Sequence, residues 1–89
     1  GHETSASALT WVFFLLAQQP SLVARMRREI EEVTGGGEIG FEHLKRMVLT
    51  RNIFRETLRL YPPITFLPRV ANEVTKLGDY PIRKGALIM

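Results

Sequence analysis

The sequence predicts a mainly α-helical chain with a small β element. Three observations carry that reading. Ala6 to Ala17 is apolar almost without interruption, a run of helix length. Ser21 to Val33 and Thr50 to Tyr61 repeat apolar residues at three- and four-residue spacing. Beyond Pro62-Pro63 that spacing stops, and from Glu73 short β-prone runs alternate with Gly-containing turns.

The first segment runs from Gly1 to Gln18. Ala6, Ala8, Leu9, Trp11, Val12, Phe13, Phe14, Leu15, Leu16 and Ala17 leave it almost no polar face. A helix apolar all round needs burial on every side. Pro20 ends it and suits the first position of the next helix, where its missing N–H has no partner to lose. Over Ser21–Val33, Leu22, Met26, Ile30 and Val33 align on one face. Arg25, Arg27 and Arg28 precede Glu29, Glu31 and Glu32, an order that opposes the helix dipole, so packing has to hold this helix. Thr34-Gly35-Gly36-Gly37 ends it in a loop.

Phe41 to Met47 reads as a short helix and Thr50 to Tyr61 as a longer one. Pro62-Pro63 stops the longer helix and pushes Tyr61 toward extended geometry. Thr65 to Ala71 reads as extended. Glu73 to Met89 reads as a hairpin: Val74–Leu77, a turn at Gly78-Asp79, Tyr80–Ile82, a second turn at Lys84-Gly85, then Ala86–Met89.

Composition narrows the function classes. The 89 residues are 45% hydrophobic and 24% charged, which excludes a disordered polar tail or a collagen-like repeat. The absence of cysteine excludes a disulfide scaffold, a Cys-ligated zinc site and thiolate chemistry within the chain. Twelve Lys/Arg against nine Asp/Glu give a net charge of +3, too mild to argue for nucleic acid without a stacking platform. The longest apolar run falls short of the roughly 18 residues that span a bilayer. The chain opens on residues that already read as helix and closes on an apolar strand, Ala86–Met89. It is therefore read as one partial domain, residues 1–89, from the interior of a larger protein. Membrane anchoring and localisation of that protein stay open; a bacterial source would place it in the cytoplasm.

Chemistry concentrates at two places. On the longer helix, Leu49, Ile53, Thr57 and Leu60 share a face, widened by Phe54, Leu58 and Tyr61, while Arg51, Arg55 and Arg59 form a ridge opposite. Glu56 falls inside the apolar arc, with Arg59 three residues on, which reads as a partly buried ion pair. The bland alternative is an ordinary surface pair. At the start of the chain, Glu3 and Thr4 place a carboxylate beside a hydroxyl. By themselves they read as a first-turn acid and a capping or back-bonding threonine rather than as a catalytic pair. His43 stands alone without a second ligand at metal spacing and reads as a surface residue.

Glu56-Thr57-Leu58-Arg59-Leu60-Tyr61-Pro62-Pro63 resembles the K-helix signature of the cytochrome P-450 superfamily. Gly1-His2-Glu3-Thr4-Ser5 is similar to the oxygen-activation motif of that family's I-helix. The two stand in the family's order, with a Pro-initiated J-helix between them and a β hairpin after. The resemblance covers essentially all 89 residues.

It implies a fragment of the cytochrome P-450 fold, from the I-helix to the β hairpin, and the following roles. Thr4 would hydrogen-bond dioxygen and relay protons, and Glu3 would feed that relay. Gly1 would leave room over the haem, and Arg69 would meet a haem propionate. Ile64, Thr65 and Phe66 would line the substrate pocket. Glu56 and Arg59 would be a structural pair, tied to an arginine further downstream. The cofactor would be haem, its axial cysteine outside this chain, and no metal ligand lies within it. Partners would be dioxygen, a small hydrophobic organic substrate and an electron-donating redox partner or fused reductase, with no nucleic acid. Without that cysteine the chain alone is expected to be inactive. A truncated helical scaffold that self-associates through Leu9 to Leu16, and a non-haem helical binding module, are the alternatives.

Overall fold

The computed structural model describes residues 1–89. Helices come first: α1 (His2–Ala17), α2 (Pro20–Thr34) and α3 (Val48–Leu60), with a 3₁₀ segment over Phe41–Arg46. Short strands follow: β1 (Arg69–Val70), β2 (Thr75–Leu77), β3 (Tyr80–Ile82) and β4 (Leu87–Ile88).

Pro20 occupies the first turn of α2, and the axes of α1 and α2 differ there by 112°. No single helix is long and apolar enough to cross a membrane. Gly35 ends α2 in the left-handed region, at φ 66°, and donates to the Glu31 carbonyl at 2.8 Å.

The segment expected as a short helix over Phe41–Met47 is 3₁₀ rather than α. Six residues are too few for α-helical bonding to offset its nucleation cost. His43, read as a surface residue, is half-buried because its Nδ1 accepts the Gly40 N–H at 2.8 Å and closes that segment's first turn.

The N-cap of α3 is Met47, whose side chain supplies no cap hydrogen bond. The Glu29 carboxylate of α2 reaches its free amides instead. Oε2 accepts from Leu49 N at 2.6 Å, and Oε1 accepts from Thr50 N at 2.9 Å and from Thr50 Oγ1 at 2.8 Å. Burial raises the Glu29 pKa, but the bonds from Thr50 and Leu49, with the nearby Arg51 charge, outweigh it and hold the carboxyl below its ordinary 4.5. The sign follows: a lowered folded-state pKa gives stability that is fully present above the unfolded value and is lost as pH falls through the folded one. Acid titration of the folded protein is therefore expected to loosen the α2–α3 contact only below pH 4.5, the ordinary value from which Glu29 is lowered. Amide exchange at Leu49 and Thr50 measures this. Acceleration already at pH 6 would contradict it.

The core is thin. Ala8 and Val12 on α1, Thr57 on α3 and Met47 at the N-cap of α3 are the only buried residues. Thr57 can be buried because its hydroxyl donates to the Ile53 carbonyl at 2.9 Å and leaves no unpaired polar atom. The burial on every side expected for α1 is not present. α2 and α3 cover one side of it, and Leu9, Phe13 and Phe14 stay exposed. The molecule is correspondingly long, 59 × 29 × 26 Å, with a radius of gyration of 20.0 Å. A compact domain of this length would have about 12 Å.

β2 and β3 form the expected hairpin, with Thr75, Lys76 and Leu77 opposite Ile82, Pro81 and Tyr80. Gly78 takes φ 59° at the first central position of its two-residue turn, the type II′ pattern. The last strand departs from expectation. β4 does not extend the hairpin but pairs antiparallel with β1, Arg69 opposite Ile88 and Val70 opposite Leu87. Pro81 accounts for this. Its position in the ladder turns its backbone nitrogen toward the open edge, and it has no N–H to offer a strand there.

Candidate functional site

The residues singled out by sequence lie at the start of α1, at the end of α3 and in the chain beyond it. The fixed point between α1 and α3 is a stack. The Trp11 and Tyr61 rings lie parallel within 5°, their centroids 4.1 Å apart, and Phe14 meets Trp11 edge-on at 5.7 Å. Tyr61 is the residue on which α3 ends, so the stack fixes where the Pro62-Pro63 segment departs.

Thr4 stands seven residues before Trp11, which puts it on the same helix face about 10 Å nearer the start of α1. Its hydroxyl donates to the Gly1 carbonyl at 3.4 Å, an oxygen also approached by Ser5 Oγ at 3.3 Å. At that length the bond is weak, so the hydroxyl can turn to another partner. Glu3 is the acid of the first turn, exposed and in no ion pair. Gly1 precedes the first helical residue, and a Cβ there would meet nothing within 4 Å.

At the far end of α3, Arg59 Nε donates to Glu56 Oε2 at 2.8 Å and Nη2 to Oε1 at 2.7 Å, a bidentate pair. The Arg59 hydrogen bonds hold the Glu56 carboxyl below its ordinary range and push the Arg59 guanidinium up. The partial burial expected of this pair is not present: both side chains are more than half exposed. Glu56 does lie at the apolar arc, on the lip of an open groove of about 280 Å³ whose walls include Leu15, Leu16, Leu22 and Ile53. No segment of this chain covers the groove, so the pair stays in solvent.

Ile64, Thr65 and Phe66 are exposed, in chain that belongs to no helix or strand. Arg69 is exposed as well and donates only to the neighbouring Pro68 carbonyl, at 3.0 Å. No hydrogen bond or ion pair joins Arg69 or residues 64–66 to Glu3 or Thr4. Two features escaped the sequence reading. Glu29 carried a signal, since it shares the stripe of Leu22, Met26 and Val33, where an apolar residue would be ordinary. The Trp11–Tyr61 stack carried none, because it joins residues fifty positions apart.

These side chains suit the rim and one face of a haem rather than its iron. Arg69 uses one of its five donors, leaving the others for a carboxylate. Ile64 and Phe66 are exposed apolar side chains, which suit an apolar ligand. The chain has no cysteine and brings no three His, Asp or Glu side chains together.

Comparison with known proteins extends over the same residues. The chain is 45% identical over 89 residues to a cytokinin hydroxylase of Arabidopsis thaliana, covering 99% of the chain and 17% of that protein. It is 40% identical over 87 residues to the chloroplastic protein LUTEIN DEFICIENT 5 of the same plant, covering 96% of the chain and 14% of that protein. A sterol 14alpha-demethylase of Mycolicibacterium vanbaalenii is 34% identical over 89 residues, covering 99% of the chain and 20% of that protein. The chain thus spans between a seventh and a fifth of the length of these curated relatives. The family model described as Cytochrome P450 matches residues 1–89. With the Glu-x-x-Arg pair closed on α3 and the Glu3-Thr4 turn opening α1, the chain belongs to the cytochrome P450 family.

Proposed function

We propose that these residues are the I-helix to β-hairpin part of a haem-dependent monooxygenase, which inserts one atom of dioxygen into an organic substrate and reduces the other to water. The observation that carries this reading is the placement of Thr4. Its weakly held hydroxyl shares a helix face with the Trp11 ring that anchors the Tyr61-Pro62-Pro63 exit. Haem, when bound, supplies the oxygen activation. The chain's own residues do the rest. Thr4 Oγ1 passes a proton toward the reacting oxygen, and the Glu3 carboxyl resupplies it through water. Arg69 pairs with an acidic edge of the cofactor. Ile64, Thr65 and Phe66 form an apolar wall for a hydrophobic substrate, for which a fatty acid or terpenoid is the expected class. A redox partner or fused reductase supplies the electrons. Glu56 and Arg59 hold α3 to the rest of the protein.

The test is the native coding sequence past Met89, followed by a carbon monoxide difference spectrum of the full-length protein. A Phe-x-x-Gly-x-x-x-Cys-x-Gly loop with a thiolate-type spectrum supports the reading. A frame that closes without a cysteine overturns it and leaves a helical scaffold whose exposed Leu9, Phe13 and Phe14 drive self-association.

A further inference from the structure

We propose that Glu29 caps α3 from outside that helix, and that through this contact it is a positioning residue for everything α3 carries. The first amides of a helix have no intrahelical partner, and an N-cap side chain ordinarily bonds those of its second and third residues. In α3 these are Leu49 and Thr50. The residue at the cap position is Met47, which has no side-chain acceptor of that kind. The two amides are bonded by Glu29 instead, twenty and twenty-one residues away in sequence, with the Thr50 hydroxyl as a third donor.

The location of the acid supports the assignment. Glu29 lies on the stripe that α2 otherwise builds from Leu22, Met26 and Val33, facing the rest of the molecule. A carboxylate there loses hydration and must be repaid in hydrogen bonds. It lies in the C-terminal half of α2, which disfavours an acid, and at the N-terminus of α3, which favours one. The second helix, not its own, accounts for it. The Arg46 Nη1 bond to the Val33 carbonyl, at 3.3 Å, ties the intervening 3₁₀ segment back to α2. The start of α3 is thereby fixed along and around its axis.

α3 is a stiff rod of 13 residues, so an anchor at Thr50 governs its far end. Glu56 and Arg59 stand on that end, and Tyr61 launches the segment with Ile64, Thr65 and Phe66. Glu29 touches none of the groups assigned to chemistry and acts through α3. The positioning half rests on the monooxygenase reading; the capping half does not.

Hydrogen exchange in the folded full-length protein tests the cap. Glu29→Ala is expected to speed exchange at Leu49 and Thr50 about tenfold. Glu29→Gln, which keeps one acceptor oxygen, should fall between, and Glu29→Met, of similar size without an acceptor, should match Ala. If Met protects these amides as well as Gln, the side chain is a filler and the proposal falls. Should Glu29→Ala fail to fold, Glu29→Gln read against Glu29→Met gives the same contrast, because the two are of similar size and only Gln keeps an acceptor oxygen for the Leu49 and Thr50 amides. For positioning, the same series is read by exchange at residues 61–66 and by haem retained after gel filtration. Both are expected to follow the order Glu, Gln, Met. An intact segment and full haem content in Glu29→Met would overturn the positioning role. A wild-type protein that binds no haem would instead overturn the monooxygenase reading, and exchange at Leu49, Thr50 and 61–66 would still decide this one.

Discussion

On the proposed monooxygenase reading, Thr4→Ala in the full-length protein is expected to divert electrons from substrate to hydrogen peroxide. Product formed per reducing equivalent should fall at least about tenfold, because positioned proton transfer contributes about 10²–10⁴ and water replaces only part of it. The chemistry sets the direction. Reducing one oxygen atom to water takes two electrons and two protons, and the proton must arrive at one particular oxygen. Without it, two-electron-reduced dioxygen leaves with both atoms as peroxide. Thr4→Ser keeps a hydroxyl and should restore most of the ratio. Ser5→Ala should leave it unchanged: Ser5 bonds the same Gly1 carbonyl, but it is rotated about 100° away from the face shared by Thr4 and Trp11. The measurement is product and peroxide against reductant consumed, with haem content and substrate affinity as controls. An unaltered ratio in Thr4→Ala would remove Thr4, and with it Glu3, from the proposed proton path.

Thr4 takes this proposed role from its place in the Gly1–Ser5 motif, and its hydrogen bonding leaves the hydroxyl available for it. Its hydroxyl is held at 3.4 Å, whereas that of Thr10, deeper in the same helix, donates to the Ala6 carbonyl at 2.7 Å. A short back-bond occupies the donor, and a long one leaves it available. Position along the helix therefore separates two threonines that composition alone would treat alike.

Local rules read most of the fold from the sequence. Pro20 and Gly35 set the limits of α2 because each acts through its own backbone: a missing N–H in one case, a permitted φ of 66° in the other. Gly78-Asp79 set the hairpin for the same reason. What local rules cannot see is pairing at a distance. β4 had two edges open to it, and choosing β1 required knowing that Pro81 faces the free side of β3. Glu29 was counted among the solvated charges of α2, because its partners lie on another helix. Glu56 shows the reverse. Helical phase placed it correctly at the apolar arc, but burial depends on what covers that arc, and within these residues only the open groove is there. For the candidate site, motif spacing named Glu3, Thr4, Glu56 and Arg59. That the helices carrying them meet at the Trp11–Tyr61 contact became visible only in the structure.

Trp11→Ala is expected to be the most destabilising single substitution in α1. Trp11 is 36% exposed, so roughly two thirds of a side chain that can bury about 150–250 Å² is covered. At about 25 cal/mol per Å², its removal costs about 2–4 kcal/mol. The parallel stack on Tyr61 adds about 0.5–1.5 kcal/mol beyond area. Against a total stability of about 5–15 kcal/mol for an ordinary domain, that is a large fraction. Trp11→Phe should recover part of it by keeping a ring opposite Tyr61. Denaturant unfolding of the full-length protein reads these values, and a double-mutant cycle with Tyr61→Ala isolates the stack, since contacting residues are not additive. Additive losses would mean that the rings only fill space. A coupling of the expected size would mean that the stack pins the end of α3. In that case Trp11→Ala should also speed amide exchange across Ile64–Phe66, which follow Tyr61 in the chain.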